Sequence, residues 1–239
     1  MPRRNYYRDF REHLKALEER EKLIRIDRMI DKDTELMPLV RWQFRGLDEE
    51  QRKAFLFENV IDAKGKRYQM SVTVGTLAAT TEIYAIGMMC RPEQLHERWT
   101  EAQLNPIEPV KVASGPAQET IWTGKELLNG HGLDMIPVPI STPGFDNAPY
   151  LTSANWITKD IETGVYNIGN YRSQIKSPDR AGGYSHRNTW GSTGVSARLR
   201  VSLCRQRSPS VVLLTSRILR PPRSPMILTN IDSPVAWPV

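Results

Sequence analysis

Cysteine is scarce in this chain of 239 residues: there are two, Cys90 and Cys204. They are too few and too far apart for a disulfide framework or a cysteine-rich zinc site. Long apolar runs are also missing, and none approaches the length a membrane-spanning helix needs. The opening segment, MPRRNYYRDFREHLK, is charged and has no apolar core, which argues against a secretory signal there. A cytoplasmic location is therefore expected. Lysine and acids fade toward the end. From Arg198 onward there are seven Arg, no Lys and one acid, Asp232. That segment alone holds the whole net charge of +6, and the rest is neutral. A nucleic-acid surface needs a basic face on a folded element, with Lys and aromatic residues interleaved. The basic end has no Lys, little aromatic interleaving and no folded-face periodicity, so a nucleic-acid binder is a minor alternative.

What is present is ordinary for a folded protein: 39% hydrophobic and 25% charged residues. The length suits one large domain or two small ones, with enough chain for a sizeable core. DFREHLKALEEREKLIRID predicts an amphipathic helix running into a strand, with Asp9 as N-cap and Glu12 three residues on. Phe10, Leu14 and Leu17 share one face of that helix, and Leu23, Ile24 and Ile26 read as strand. DTELMPLVRWQFRGL predicts a second helix, KAFLFENVID a buried strand and KRYQMSVTVGTL another strand. PEQLHERWTEAQ predicts a helix with Leu95 and Trp99 on one side and His96 on the surface. Helix and strand thus alternate, as in α/β layers. NPIEPVKVASGP reads as an extended link. After it, QETIWTG, MIPVPISTPGFDNAPYLTSANWITKD and GVYNIGNYRSQIK suggest strands of a barrel or sandwich, with KDIETG as a hairpin turn.

The segment from Gly164 to His186 concentrates polar groups. Taken as one strand from Val165 to Ile175, it places Val165, Asn167, Gly169, Tyr171 and Ser173 on one face. Tyr166, Ile168, Asn170, Arg172 and Gln174 fall on the other. Polar residues on both faces suit the wall of a cleft better than a core. Arg172 offers a fork of donors for carboxylate or phosphate. Asn167 offers a carbonyl oxygen to a hard divalent cation. His186 either completes a metal site or is a surface turn residue. The glycines of DRAGGYSH would let backbone amides approach a phosphate.

MIPVPISTPGFDNAPYLTSANWITKDIETGVYNIGNYRSQ resembles the UbiD family of decarboxylases, which use prenylated flavin mononucleotide. DFREHLKALEEREKLIRID and AFLFENV are similar to that family's opening helix and strand, and the likeness runs over residues 6–196. It implies an α/β (α+β) fold. Residues 1–108 would form an N-terminal α/β layer domain and 109–196 part of a flavin-reductase-like split β-barrel, with 197–239 an aberrant basic Pro/Arg-rich tail. It implies that Asn167 ligates Mn²⁺, with His186 as second metal ligand and K⁺ as a further ion. Asn170, Tyr171 and Arg172, with Ser185, His186 and Arg187, would contact the cofactor, and Arg172 would be catalytic. The implied reaction is a reversible, non-oxidative decarboxylation of aromatic or α,β-unsaturated acids. A flavin prenyltransferase would supply the cofactor, and the protein would form homo-oligomers. A split-barrel flavin module without catalysis is the alternative.

The family's third metal ligand, a Glu in a DEYxLAG-like segment, and its acid proton donor have no counterpart in this sequence. The basic end suggests a cause. Shifted by one nucleotide, the codons of Met226 and Ile227 must give Asp, and those of Trp237 and Pro238 must give Ala. With permitted codons elsewhere, SPMILTNIDSPVAWPV can yield PYDTDEYRLAGRVAG. We therefore expect a frameshift near codons 190–205 and a truncated, inactive chain.

Overall fold

The computed structural model describes residue 7, residues 9–107, 110–113, 115, 119–159, 166–170, 172–183, 196–203, 212–219 and 235–236. The chain divides into two compact units. One is built mainly from Met1–Ala113, the other mainly from Ser114–Gln206. The architecture is mixed α/β with small sheets.

In the first unit, helix α1 spans Phe10–Glu19 and is capped as its sequence predicts. The Asp9 carboxylate accepts from the backbone N–H of Arg11 (2.9 Å) and Glu12 (3.1 Å). Strand β1 (Leu23–Asp31) runs parallel to β2 (Ala54–Ile61), joined through helix α2 (Leu36–Gly46). A short strand β3 (Val72–Val74) pairs antiparallel on the other side of β2. It covers only part of the longer strand the sequence suggests. β2 is buried on both faces, which explains the unbroken apolar run AFLF. Ala54 packs with Leu14, Leu17, Ile83 and Ile86, the last two from helix α3 (Thr81–Gly87). Phe55 and Phe57 pack with Ile30, Leu36, Val40 and Val60, their rings 5.5 Å apart.

Helix α4 (Leu95–Leu104) forms as expected but buries no residue, and Trp99 is 48% exposed, so the apolar side expected from Leu95 and Trp99 covers no core. His96 is exposed, as expected. Strand β4 (Val110–Lys111) lies in the segment read as an extended link.

In the second unit, the described part of QETIWTG, residues 119–124, is not a strand. Thr123 instead caps a 3₁₀ helix, Gly124–Leu128, in a capping box with Glu126. Leu133–Met135 is a further 3₁₀ turn, and residues 136–149 have no regular structure. Strands β5 (Tyr150–Leu151), β6 (Asn155–Lys159), β7 (Tyr166–Asn170), β8 (Ser173–Ser177) and β9 (Arg180–Gly183) follow. β6 and β7 pair antiparallel from Asn155↔Asn170 to Lys159↔Tyr166; the turn expected at KDIETG lies beyond Lys159, outside the described residues. β10 (Ser196–Leu203) and β11 (Val212–Leu219) pair antiparallel, and β11 joins β6 in parallel. β12 (Val235–Ala236) belongs instead to the first unit, where it pairs with β4. The second unit thus holds a sheet ordered β10-β11-β6-β7 and another ordered β5-β8-β9.

A candidate active site where two sheets part

The polar segment read as one strand is two. β7 ends at Asn170 and β8 begins at Ser173, and the two belong to different sheets. The face-sharing sets therefore hold only within β7, as far as Asn170. Beyond it the chain leaves one ladder for another, and a two-residue period cannot cross that break. Asn170 and Arg172 stand at the parting point, and both are exposed. Arg172 makes no ion pair among the described residues. Asn167 lies within β7, with its backbone opposite Thr158 of β6. Tyr171, Ser185, His186 and Arg187 lie outside the described residues, so Asn167, Asn170 and Arg172 are the sequence-derived site positions placed here.

The strand after the parting point is firmly seated. Ser173 is fully buried and pairs with Leu151 on one side and Gly183 on the other. Gln174 pairs with Tyr150 and Gly182, and Ile175 donates its N–H to the Pro149 carbonyl at 3.0 Å. Gln174 is 7% exposed, so its amide needs partners. It donates to Asn147 Oδ1 at 2.5 Å and accepts from Lys176 Nζ. At the far end of β8 the Ser177 hydroxyl donates to Asp179 at 2.5 Å and holds that carboxyl below the usual carboxylate range. The turn is anchored from below: the Leu133 N–H donates to the Pro178 carbonyl at 2.7 Å. Gly132 must be glycine there, because a Cβ would run into the carbonyl oxygens of Pro178 and Leu127. Sequence reading put Gln174 beside Arg172 on a cleft wall and missed that its amide is buried. The TGKE pattern at 123–126 is a capping-box signal that could have replaced the strand reading there.

Chemically, the junction offers an exposed guanidinium and an exposed amide at the end of a rigid strand pair. Such donors suit a phosphate or a carboxylate. Among the described residues no group of three or more His, Cys, Asp or Glu could hold a metal ion. Asn167 belongs to none of those types, and His186 lies outside the description.

Comparison with known proteins decides the family. The model of the 3-octaprenyl-4-hydroxybenzoate carboxy-lyase N-terminal domain matches residues 14–103. The Rift-related domain of the same carboxy-lyase matches residues 108–214. The chain belongs to the UbiD family. The second match contains β7, the parting point and β8, and it runs past residue 196. Solved UbiD relatives share the fold. An evolved dimeric form of the UbiD-class enzyme HmfF from Pelotomaculum thermopropionicum, solved with prFMN, is 31% identical with a TM-score of 0.65. The match covers 79% of this chain and 41% of that one. HmfF from the same organism in complex with FMN is 28% identical, with a TM-score of 0.63, over 77% of this chain and 39% of that one. Apo 3,4-dihydroxybenzoic acid decarboxylase from Enterobacter cloacae is 25% identical, with a TM-score of 0.63, over 76% and 37%. This chain therefore spans well under half the length of these UbiD relatives.

Proposed function

We propose that this chain carries the cofactor- and carboxylate-binding part of a prenylated-FMN decarboxylase acting on aromatic or α,β-unsaturated carboxylic acids. The observation that carries the proposal is the parting of β7 and β8, which leaves Asn170 and Arg172 exposed at the end of a seated strand. Arg172 grips the substrate carboxylate through two parallel N–H donors and aims the bond to be broken. Asn170, Tyr171 and Arg172, with Ser185, His186 and Arg187, hold the flavin and its phosphate. Asn167 and His186 hold Mn²⁺, with K⁺ as a further ion. The prenylated flavin, when bound, supplies the electron sink that no side chain can provide. The proposal keeps the boundaries at 108 and 196 and the split β-barrel between them. It also includes homo-oligomers, a flavin prenyltransferase as cofactor source and a cytoplasmic setting. Among the described residues no helix is long and apolar enough to cross a membrane.

The proton donor and third metal ligand that the family resemblance implies have no counterpart in these residues. We therefore expect binding without turnover. The purified chain, loaded with prenylated FMN and Mn²⁺, should retain flavin absorbance through gel filtration and release no CO₂ from such acids. Failure to retain flavin would contradict the assigned site. Substrate-dependent CO₂ release would contradict the inactivity.

A further inference from the structure

The buried Gln174 amide has a fixed direction. Lysine carries donors only, so Lys176 Nζ settles which end of that amide faces it: the oxygen. The Gln174 NH₂ must then point to Asn147, and Asn147 must answer with its carbonyl oxygen, as it does at 2.5 Å. The Asn147 NH₂ is thereby turned away from β8, as a free-facing donor on an exposed residue. Lys176 can reach back because Gly182 stands opposite Gln174. A Cβ at Gly182 would come within 3.2 Å of the Lys176 Cε. The loop carrying Asn147 is itself held. The Thr142 N–H donates to Asp146 Oδ2 at 2.7 Å, and Pro149 is bonded to Ile175. Three side chains thus form a one-way chain of hydrogen bonds from β8 to this loop.

We propose that Gln174 is a positioning residue of an oxyanion site made by Arg172 and the Asn147 amide. The inference rests on the function proposed above and adds a second, neutral donor to it. Arg172 immediately precedes β8 and Gln174 is its second residue, so their Cα atoms are at most about 7 Å apart. That separation lets a guanidinium and the outward amide converge on one carboxylate or phosphate. The charged fork supplies strength, and the amide supplies direction.

The test uses the full chain. Gln174→Glu keeps the size and the acceptor for Lys176 but has nothing to donate. Asn147 must then turn its NH₂ inward. Side-chain amide hydrogen exchange, followed by NMR, should show slow Gln174 and fast Asn147 protons in the native chain. In the Gln174→Glu chain the Asn147 protons should become slow. Titrations with benzoate and with FMN should show about tenfold weaker binding in that variant, the worth of one lost bond to a charged group. Loss for benzoate alone assigns the site to the substrate carboxylate, and loss for FMN alone assigns it to the flavin phosphate. Lys176→Met should free the Gln174 amide to turn over and weaken binding by a smaller factor, so the proposal stays testable if the glutamate variant misfolds. Slow Asn147 protons in the native chain, or variants that bind both probes as tightly as native, overturn the proposal. If Arg172→Ala weakens binding and the Gln174 variants do not, only this inference falls. A native chain binding neither probe contradicts both it and the proposed function.

Discussion

At the scale of single residues, buried polar groups set the firmest expectations. Gln43 is 8% exposed and clamps the Lys53 backbone, donating to its carbonyl at 2.7 Å and accepting from its N–H at 3.0 Å. Gln43→Leu would leave both backbone groups without a partner. We expect a loss of about 2–4 kcal/mol in urea unfolding. Arg172 is exposed, so Arg172→Ala should leave the unfolding free energy within about 0.5 kcal/mol of native. These two residues mark what the sequence discloses. The binding role of Arg172 comes from the family resemblance and stands as proposed above; its exposure just before β8 is what the structure adds. Gln43 and Gln174 look like surface residues, because what buries them is contact with distant chain that no local pattern encodes.

At the scale of elements, α1 and β2 were legible for physical reasons. Asp9 caps, Leu14 and Leu17 fall at helical spacing, and AFLF is a run only a doubly covered strand tolerates. Leu17 is fully buried, so Leu17→Ala should cost about 2–5 kcal/mol in the first unit. The Asp9→Ala cap variant should cost about 1 kcal/mol. The strand read from Val165 to Ile175 failed at one point. Alternation describes a strand but cannot announce that the chain leaves one sheet for another at 171–172. Gly132→Ala tests the anchor beneath β8. Overpacking against the Pro178 and Leu127 carbonyls should destabilise the second unit by about 1–3 kcal/mol, read by hydrogen exchange on β8 and β9.

At the scale of the whole molecule, charge and reading frame matter. Hydrogen bonds from Arg25, Arg28 and Thr81 hold the carboxyls of Glu18, Glu35 and Glu49 below their usual value of 4.5. Carboxyls depressed by folding stabilise above the unfolded value, and that stability is lost as pH falls through the folded values. Unfolding free energy should therefore be level near neutrality and decline below about pH 4.5. The decline should be shallow and smaller in high salt, since these groups face solvent. The alternation of helix and strand over the first hundred residues was foreseeable from their hydrophobic periodicity. The pairing of β11 with β6 was not, because it joins segments far apart in the chain. The frameshift remains our proposal for the arginine-rich end. The nucleotide sequence across codons 190–205 should show the shift point, after which a one-base shift should turn the codons from Ser224 onward into a DEYxLAG-like segment; an intact frame would refute it.

The most direct measurement is the equilibrium affinity of the native chain and of Arg172→Ala for FMN in the presence of Mn²⁺, followed by flavin fluorescence. The account predicts saturable binding by the native chain and binding weaker by about tenfold or more in the variant, with unchanged unfolding. Equal affinities, or no binding by a folded native chain, would contradict it.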